Sequence, residues 1–329
     1  MIGNDTTIIA GDKHGDVFAL PLLTASSATD TPSSPRTLHL SKDTAEREAL
    51  AAIKRQRTEI DYNLPFEHKF ILGHVSMLLS ILPVTIGKKS WILTGDRDEH
   101  IRATRYPQTF VIDRFCLGHE SFVSQMLVPT WDQEQLISGG GDTYLLTWNW
   151  KDGIINQKTD LRDHVNKALA GRERKTESKA SREFEIGASG LWELPNIRGI
   201  LVAVEAVPAL FLFKYSQDGS CLEYSSTLQL DGNLLNVAIV GGEGNRILVS
   251  IDPSTAEHSL LTAHEVDQSG QWSKVNDDPV VQRVESAVTM VNVPDHLVPA
   301  VKTGVLYTVR LLRKEVTAIA GERTMDVEE

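Results

Sequence analysis

The sequence predicts an all-β fold, a propeller of repeated four-stranded blades, on three observations. Leu72-Gly73-His74 recurs as Leu117-Gly118-His119, and the two histidines are 45 residues apart. That is the period of about 40–45 residues expected of one blade. Each Gly-His precedes an apolar strand, Val75 to Val84 and then Phe122 to Val128. A short strand, a tight turn and another strand follow each time. Trp91-Ile-Leu-Thr-Gly-Asp-Arg-Asp-Glu-His-Ile-Arg-Ala-Thr104 belongs to the first copy and Gln135-Leu-Ile-Ser-Gly-Gly-Gly-Asp-Thr-Tyr-Leu-Leu-Thr-Trp148 to the second. A third copy without Gly-His opens the chain, Thr7-Ile-Ile-Ala-Gly-Asp-Lys-His-Gly-Asp-Val-Phe-Ala-Leu20.

In register, Ala10, Thr94 and Ser138 coincide, as do His14, Asp98 and Asp142, and then Leu20, Thr104 and Trp148. In the most complete copy, His119, Ser138, Asp142 and Trp148 are placed to form a hydrogen-bonded tetrad that ties a loop to the strands. A His-Asp-Ser set also resembles a hydrolytic triad. Here the spacing is that of a WD-type blade and the histidine lies between blades, so the structural reading is preferred. Ser138-Gly-Gly-Gly-Asp142 is read as a hairpin turn. It leads into a β-rich strand, Tyr144 to Trp150, and lacks the Lys-Ser/Thr ending of a phosphate-cradling loop. Gly241-Gly-Glu-Gly-Asn245 is a turn for the same reason, because Arg246 to Ile251 continues as a strand.

Beyond Phe184 the repeat degenerates but stays β-like. Gly190 to Tyr215 reads as strands turning at Arg198-Gly199 and Val207-Pro208, and Ser225 to Thr262 as a further set. Ala287 to Val293 and Gly304 to Leu312 are expected to be the last strands. The propeller is expected over 1–315, with inserts at about 22–68 and 155–185 and a polar tail at 316–329. In the first insert a Ser/Thr/Pro-rich stretch, Thr24 to Thr37, leads to a helix over Ala45 to Ile60. The second, Asn156 to Arg182, is highly charged. Lys54-Arg-Gln-Arg57 and Arg172-Glu-Arg-Lys175 are candidate nuclear-import signals or RNA contacts, though a solvated face is the plainer reading.

Composition narrows the function. Across 329 residues, 33 Lys and Arg against 44 Asp and Glu give a net charge of −11. A chain this acidic is not expected to wrap nucleic acid by its overall field. Two cysteines, Cys116 and Cys221, cannot build a disulfide framework or a cysteine-rich zinc module, and imply a reducing compartment. No metal-ligand cluster stands out. No secretory signal is expected, since Met1 to Asp5 has neither a basic region nor an apolar run behind it. The most apolar stretch, Ile200 to Phe213, carries Glu205 and Pro208 and is shorter than the ~20 residues of a membrane span, so no membrane contact is expected.

Leu72-Gly-His-Val-Ser-Met-Leu78, Leu93-Thr-Gly-Asp-Arg-Asp-Glu-His-Ile-Arg102, and Phe115-Cys-Leu-Gly-His119 with Phe122-Val-Ser124 resemble the non-catalytic WD-repeat subunit of the eukaryotic tRNA (guanine-N7)-methyltransferase. Gly11-Asp-Lys-His-Gly-Asp-Val-Phe18 is similar to the family's preceding blade. The likeness is specific from Ile71 to Trp150 and weak after Phe184. It implies a seven-bladed propeller, of which roughly two blades before Met1 are expected to be absent from this chain. It implies no catalytic residue and no cofactor, since S-adenosylmethionine (SAM) is held by a separate catalytic subunit. That subunit, in a heterodimer with the propeller, forms 7-methylguanosine in the tRNA variable loop, and tRNA is contacted mainly through it. The expected localisation is the nucleus.

Asp12-Lys13 and Asp96-Arg97 occupy equivalent turns of successive blades and are expected side by side on one face; Gly140-Gly141 ends the charged patch. In the family such turns touch the catalytic subunit, which by position implies Lys13, Asp96, Arg97, Asp98, Glu99 and Arg102 as partner-binding residues. Asp98 is also expected to serve its blade's tetrad. Arg102 is expected to point outward between buried Ile101 and Ala103. A generic propeller adaptor, for ubiquitin ligation or chromatin, is the alternative. Such a blade needs only Asp98 in the run Asp96-Arg-Asp-Glu99.

Overall fold

In a strand walled on both sides by other sheets, both side-chain faces must be apolar. Trp91-Ile-Leu satisfies that condition, and Ile92 and Leu93 are fully buried. The computed structural model describes residues 7–22, 68–170, 184–216, 218–219, 221–240, 246–253, 255, 259–287, 296 and 298–314.

Among the described residues, five antiparallel sheets follow one another in chain order. The first has three strands, β1 (Thr7–Gly11), β2 (Asp16–Pro21) and β3 (Lys69–Gly73). Blade 2 is β4 (Leu78–Ile86), β5 (Lys89–Asp96), β6 (His100–Tyr106) and β7 (Ile112–Leu117). Blade 3 is β8 (Val123–Leu127), β9 (Gln135–Gly140), β10 (Tyr144–Asn149) and β11 (Ile154–Asp160). Blade 4 is β12 (Ala188–Leu194), β13 (Gly199–Val204), β14 (Ala209–Tyr215) and β15 (Leu222–Gln229). Blade 5 is β16 (Gly232–Val240), β17 (Arg246–Pro253), β18 (Leu261–Val266) and β19 (Trp272–Val275).

Each strand pairs with the next in sequence, so every blade is a meander. The leading strands β4, β8, β12 and β16 pack in succession. Every joint between neighbouring sheets has its own apolar cluster. Val17 and Ile92 meet between sheets 1 and 2, Leu93 and Trp148 between blades 2 and 3, Ile137 and Val202 between blades 3 and 4, and Leu201 and Val249 between blades 4 and 5. Each fully buried Leu, Ile or Val is worth about 1.5–3 kcal/mol of transfer free energy.

Two sequence expectations are corrected. Residues 154–160 are the fourth strand of blade 3, and Arg162–Ala170 is a helix, α1, packed by Val165 and Ala168. The charged look of Ile154 to Asp160 reflects its outer position, where most side chains meet water. Gly304 to Leu312 is not a strand. It lies in helical turns, Lys302–Leu306 and Arg310–Leu312. Ala287 ends a second helix, α2 (Pro279–Ala287), while 288–293 lie outside the described residues. Also outside them are Thr24–Thr37, the helix expected over Ala45–Ile60, both basic clusters, Gly241–Asn245 and the 316–329 tail.

Candidate functional site

Blade 3 carries the tetrad in full. Trp148 donates its indole N–H to Ser138 Oγ at 2.8 Å. Ser138 Oγ lies 2.7 Å from His119 Nε2, and His119 Nδ1 lies 2.6 Å from Asp142 Oδ2. One proton arrangement satisfies every group: indole to serine, serine to histidine, histidine to aspartate. Ser138 is 0% exposed and the His119 side chain likewise, so no substrate can reach the serine. The set holds a loop to two strands and cannot serve as a hydrolytic triad.

Blade 2 builds the same tie differently. His74 Nε2 meets Thr94 Oγ1 at 2.9 Å, but the carboxylate beside His74 Nδ1, at 3.7 Å, belongs to Asp96 and not to Asp98. In blade 3 the position of Asp96 is Gly140, where the carbonyl of Phe122 occupies the space a side chain would need. The acid there therefore comes from two residues later. Burial would raise the Asp96 carboxyl, but the bond with His74 and the amides of His100 and Asp98 hold it below its ordinary range. Thr104 takes the place of Trp148, and its buried hydroxyl has no hydrogen-bond partner among the described residues.

The turn after each blade's second strand lies on one face. Asp96 Oδ1 accepts from the amides of Asp98 and His100, at 2.9 and 3.0 Å. Asp12 Oδ1 accepts from His14 and Asp16, at 2.8 and 3.0 Å. These are one turn built twice. Its fourth residue is left-handed in both, Gly15 at φ 90° and Glu99 at φ 73°. At Gly15 a Cβ would also collide with the carbonyl of His74.

Lys13 on the first turn is exposed. Asp98 and Glu99 on the second are partly exposed, and both pair with Lys314, at 3.0 and 3.1 Å. Arg97 donates from Nε to the Leu312 carbonyl at 2.8 Å and from Nη2 to that of Arg313 at 3.2 Å. Arg102 departs from expectation. It is half-buried, with Nη1 3.3 Å from the Gly73 carbonyl and Nε without a hydrogen-bond partner among the described residues. Burial lowers its pKa, opposed by the charge of Asp96. The cause is its place on β6, beneath the loop carrying His74. A glutamate there would face Asp96, so charge reversal would strain the fold as well as any interface.

The sequence reading missed the segment that meets this face. Val309 and Arg310 donate their amides to Glu205, at 2.6 and 2.9 Å, and Arg310 Nε adds 3.2 Å. Arg313 donates to the carbonyls of Gly141 and Ile186. Glu205, 3% exposed within an apolar run, was the available signal, because a buried carboxylate needs donors. Among the described residues, no group of three His, Cys, Asp or Glu side chains could hold a metal, and no helix is long and apolar enough to cross a membrane.

Stacked blades, a buried His-Ser-Asp-Trp tie and charged turns on one face define a WD-repeat β-propeller. A family profile described as the tRNA methyltransferase TRM82 WD40 domain matches residues 1–276. A relative in Phaeosphaeria nodorum is 37% identical over 281 residues, covering 77% of this chain and 57% of its own. One in Aspergillus oryzae is 38% identical over 273 residues, covering 77% and 52%, and one in Aspergillus clavatus is 34% identical over 276 residues, covering the same shares. All three are named tRNA (guanine-N(7)-)-methyltransferase non-catalytic subunit. The chain belongs to the TRM82 WD40 family, and spans about half the length of these relatives.

Proposed function

We propose that this chain is the non-catalytic scaffold subunit of a tRNA (guanine-N7)-methyltransferase. It binds and orients a separate catalytic subunit in a heterodimer, and that subunit holds SAM and forms 7-methylguanosine in the tRNA variable loop. The observation that carries this reading is membership of the TRM82 WD40 family across residues 1–276. The turn face adds physical support. Lys13, Arg97, Asp98 and Glu99 present both signs of charge on equivalent turns of adjacent sheets, which suits a partner chosen by electrostatic complementarity. Asp96 acts from below, by shaping its turn, and Arg102 braces the loop at Gly73. We place the activity in the nucleus, with tRNA met mainly through the partner.

The test is capture of the purified catalytic subunit by this chain, with calorimetry of SAM against the chain alone. The proposal expects a one-to-one complex and no SAM heat. Micromolar SAM binding by the chain alone would contradict it. Capture of ubiquitin-ligase or chromatin components in place of the methyltransferase would favour the generic adaptor.

A further inference from the structure

Past blade 5 the chain turns back across blades 5 to 2, over the end of each second strand or the turn that follows it. At blade 5, Lys302 Nζ contacts both Asp252 carboxylate oxygens at 2.8 Å, and the Tyr307 hydroxyl donates to the same carboxylate. At blade 4, Glu205 takes Val309 and Arg310. At blade 3, the carbonyl of Gly141 takes Arg313. At blade 2, Arg97 binds the segment's carbonyls while Asp98 and Glu99 take Lys314. The segment runs along a cleft of about 1180 Å³, with the Arg310 and Arg313 guanidinium groups over the rings of Phe184 and Phe122.

The chemistry of these contacts decides their role. The receiving groups are carboxylates and carbonyls, and the segment supplies Arg310, Arg313 and Lys314. Apolar burial contributes little. No residue of Arg310–Leu312 is buried, and Leu311 is 62% exposed. A segment evolved to clamp blades together would bury its leucines. Val309 and Arg310 stay on Glu205, whose buried carboxylate needs their amides. Beyond that anchor the segment is held by the part-exposed pairs of Lys314, each individually weak, and by single bonds to backbone carbonyls, and it can leave. It also uses up Arg97, Asp98 and Glu99, the charged side chains of the blade 2 turn.

We propose that residues 311–314 are an autoinhibitory latch, hinged at the Glu205 anchor: a basic segment seated in a groove on the partner-binding face, which must leave before the catalytic subunit can engage Arg97, Asp98 and Glu99. This rests on the scaffold reading above. While latched, the chain presents a neutralised face. Binding of the partner and binding of the segment exclude each other, so the partner's apparent affinity is reduced by the fraction of chain that is latched.

The test has two arms on the full chain. In the first, a labelled peptide spanning Leu311 to Lys314 is titrated into the triple variant Arg310→Ala, Arg313→Ala, Lys314→Ala, whose own segment is weakened. Saturable binding supports the groove; no binding overturns the latch. In the second, affinity for the catalytic subunit is compared between the parent, the triple variant and Lys314→Glu. The expected result is threefold or greater tightening in the variants, about what releasing two exposed ion pairs allows, with the free peptide reversing it in the triple variant. Equal or weaker capture by folded variants would overturn the latch. Lys314 is half-exposed, so Lys314→Glu carries the comparison should the triple variant melt early. Peptide binding without capture of the catalytic subunit by any version would overturn the scaffold reading and leave the groove standing.

Discussion

Replacing Ser138 by alanine should destabilise the propeller far more than the matching change in blade 2. Ser138 Oγ serves two buried partners, the Trp148 indole at 2.8 Å and His119 Nε2 at 2.7 Å. Alanine leaves both without a bond in a region closed to water. An unmade bond at a buried polar group costs about 1–3 kcal/mol, so the pair should cost roughly 2–6 kcal/mol. In blade 2, Thr94→Val keeps the side-chain volume and orphans only His74 Nε2, apart from a long 3.3 Å bond from Thr94 to the Arg102 carbonyl. About 1–2 kcal/mol is expected there. Thr104→Val goes the other way: it removes a buried hydroxyl that has no partner among the described residues, and should be neutral or slightly stabilising. Urea unfolding followed by circular dichroism, with slopes compared as well as midpoints, ranks the three. A loss below about 1 kcal/mol for Ser138→Ala, or a larger loss for Thr94→Val, would refute the reasoning.

Asp96→Ala should lower the melting temperature clearly, because the carboxylate holds its own turn and faces His74, whereas Asp98→Ala should fall within about 1 kcal/mol of the parent, as exposed pairs do; the same loss for both would return Asp98 to the blade's framework. Burial, reinforced by nearby Lys274, pushes the His264 imidazole down to about 4, so the folded state resists a proton that the unfolded chain accepts below about 6.5. Stability should therefore fall as pH drops from about 6.5 towards 4, by a total on the order of 3 kcal/mol, and His264→Gln should flatten that slope in pH-dependent melts. Cys221 is exposed while burial pushes the Cys116 thiol up to about 12, so one thiol should react in the native state and the second only on unfolding; two fast equivalents in a thiol assay would contradict the burial of Cys116.

The blades were legible because their pattern is local. A glycine-histidine before each first strand, a small residue late in the second and a tight turn between two short strands locate the sheets of blades 2 and 3. In blade 4 the repeat had degenerated, and only β-rich runs turning at Arg198-Gly199 and Val207-Pro208 marked the strands. Register was not enough to identify the acid of blade 2. Asp96 and Asp98 both sit in the turn, and only the space at Gly140 in the neighbouring blade shows why the two copies differ. Arg102 was misjudged because alternation tells which side of β6 it leaves, but not that the loop at Gly73 roofs that side. The segment over the face was invisible for a different cause. Its partners, Glu205, Gly141 and Arg97, lie between 104 and 216 residues away, and its basic residues carry no periodic signal of their own.

Reconstitution of tRNA methylation tests the scaffold reading most directly. The catalytic subunit is assayed on tRNA with SAM in the absence and presence of stoichiometric chain, and the chain is assayed alone. The account predicts no product from the chain alone and a rise in 7-methylguanosine that saturates at one equivalent of chain. Product formation by the chain alone, or a catalytic subunit whose rate and stability are the same with and without it, would contradict the account.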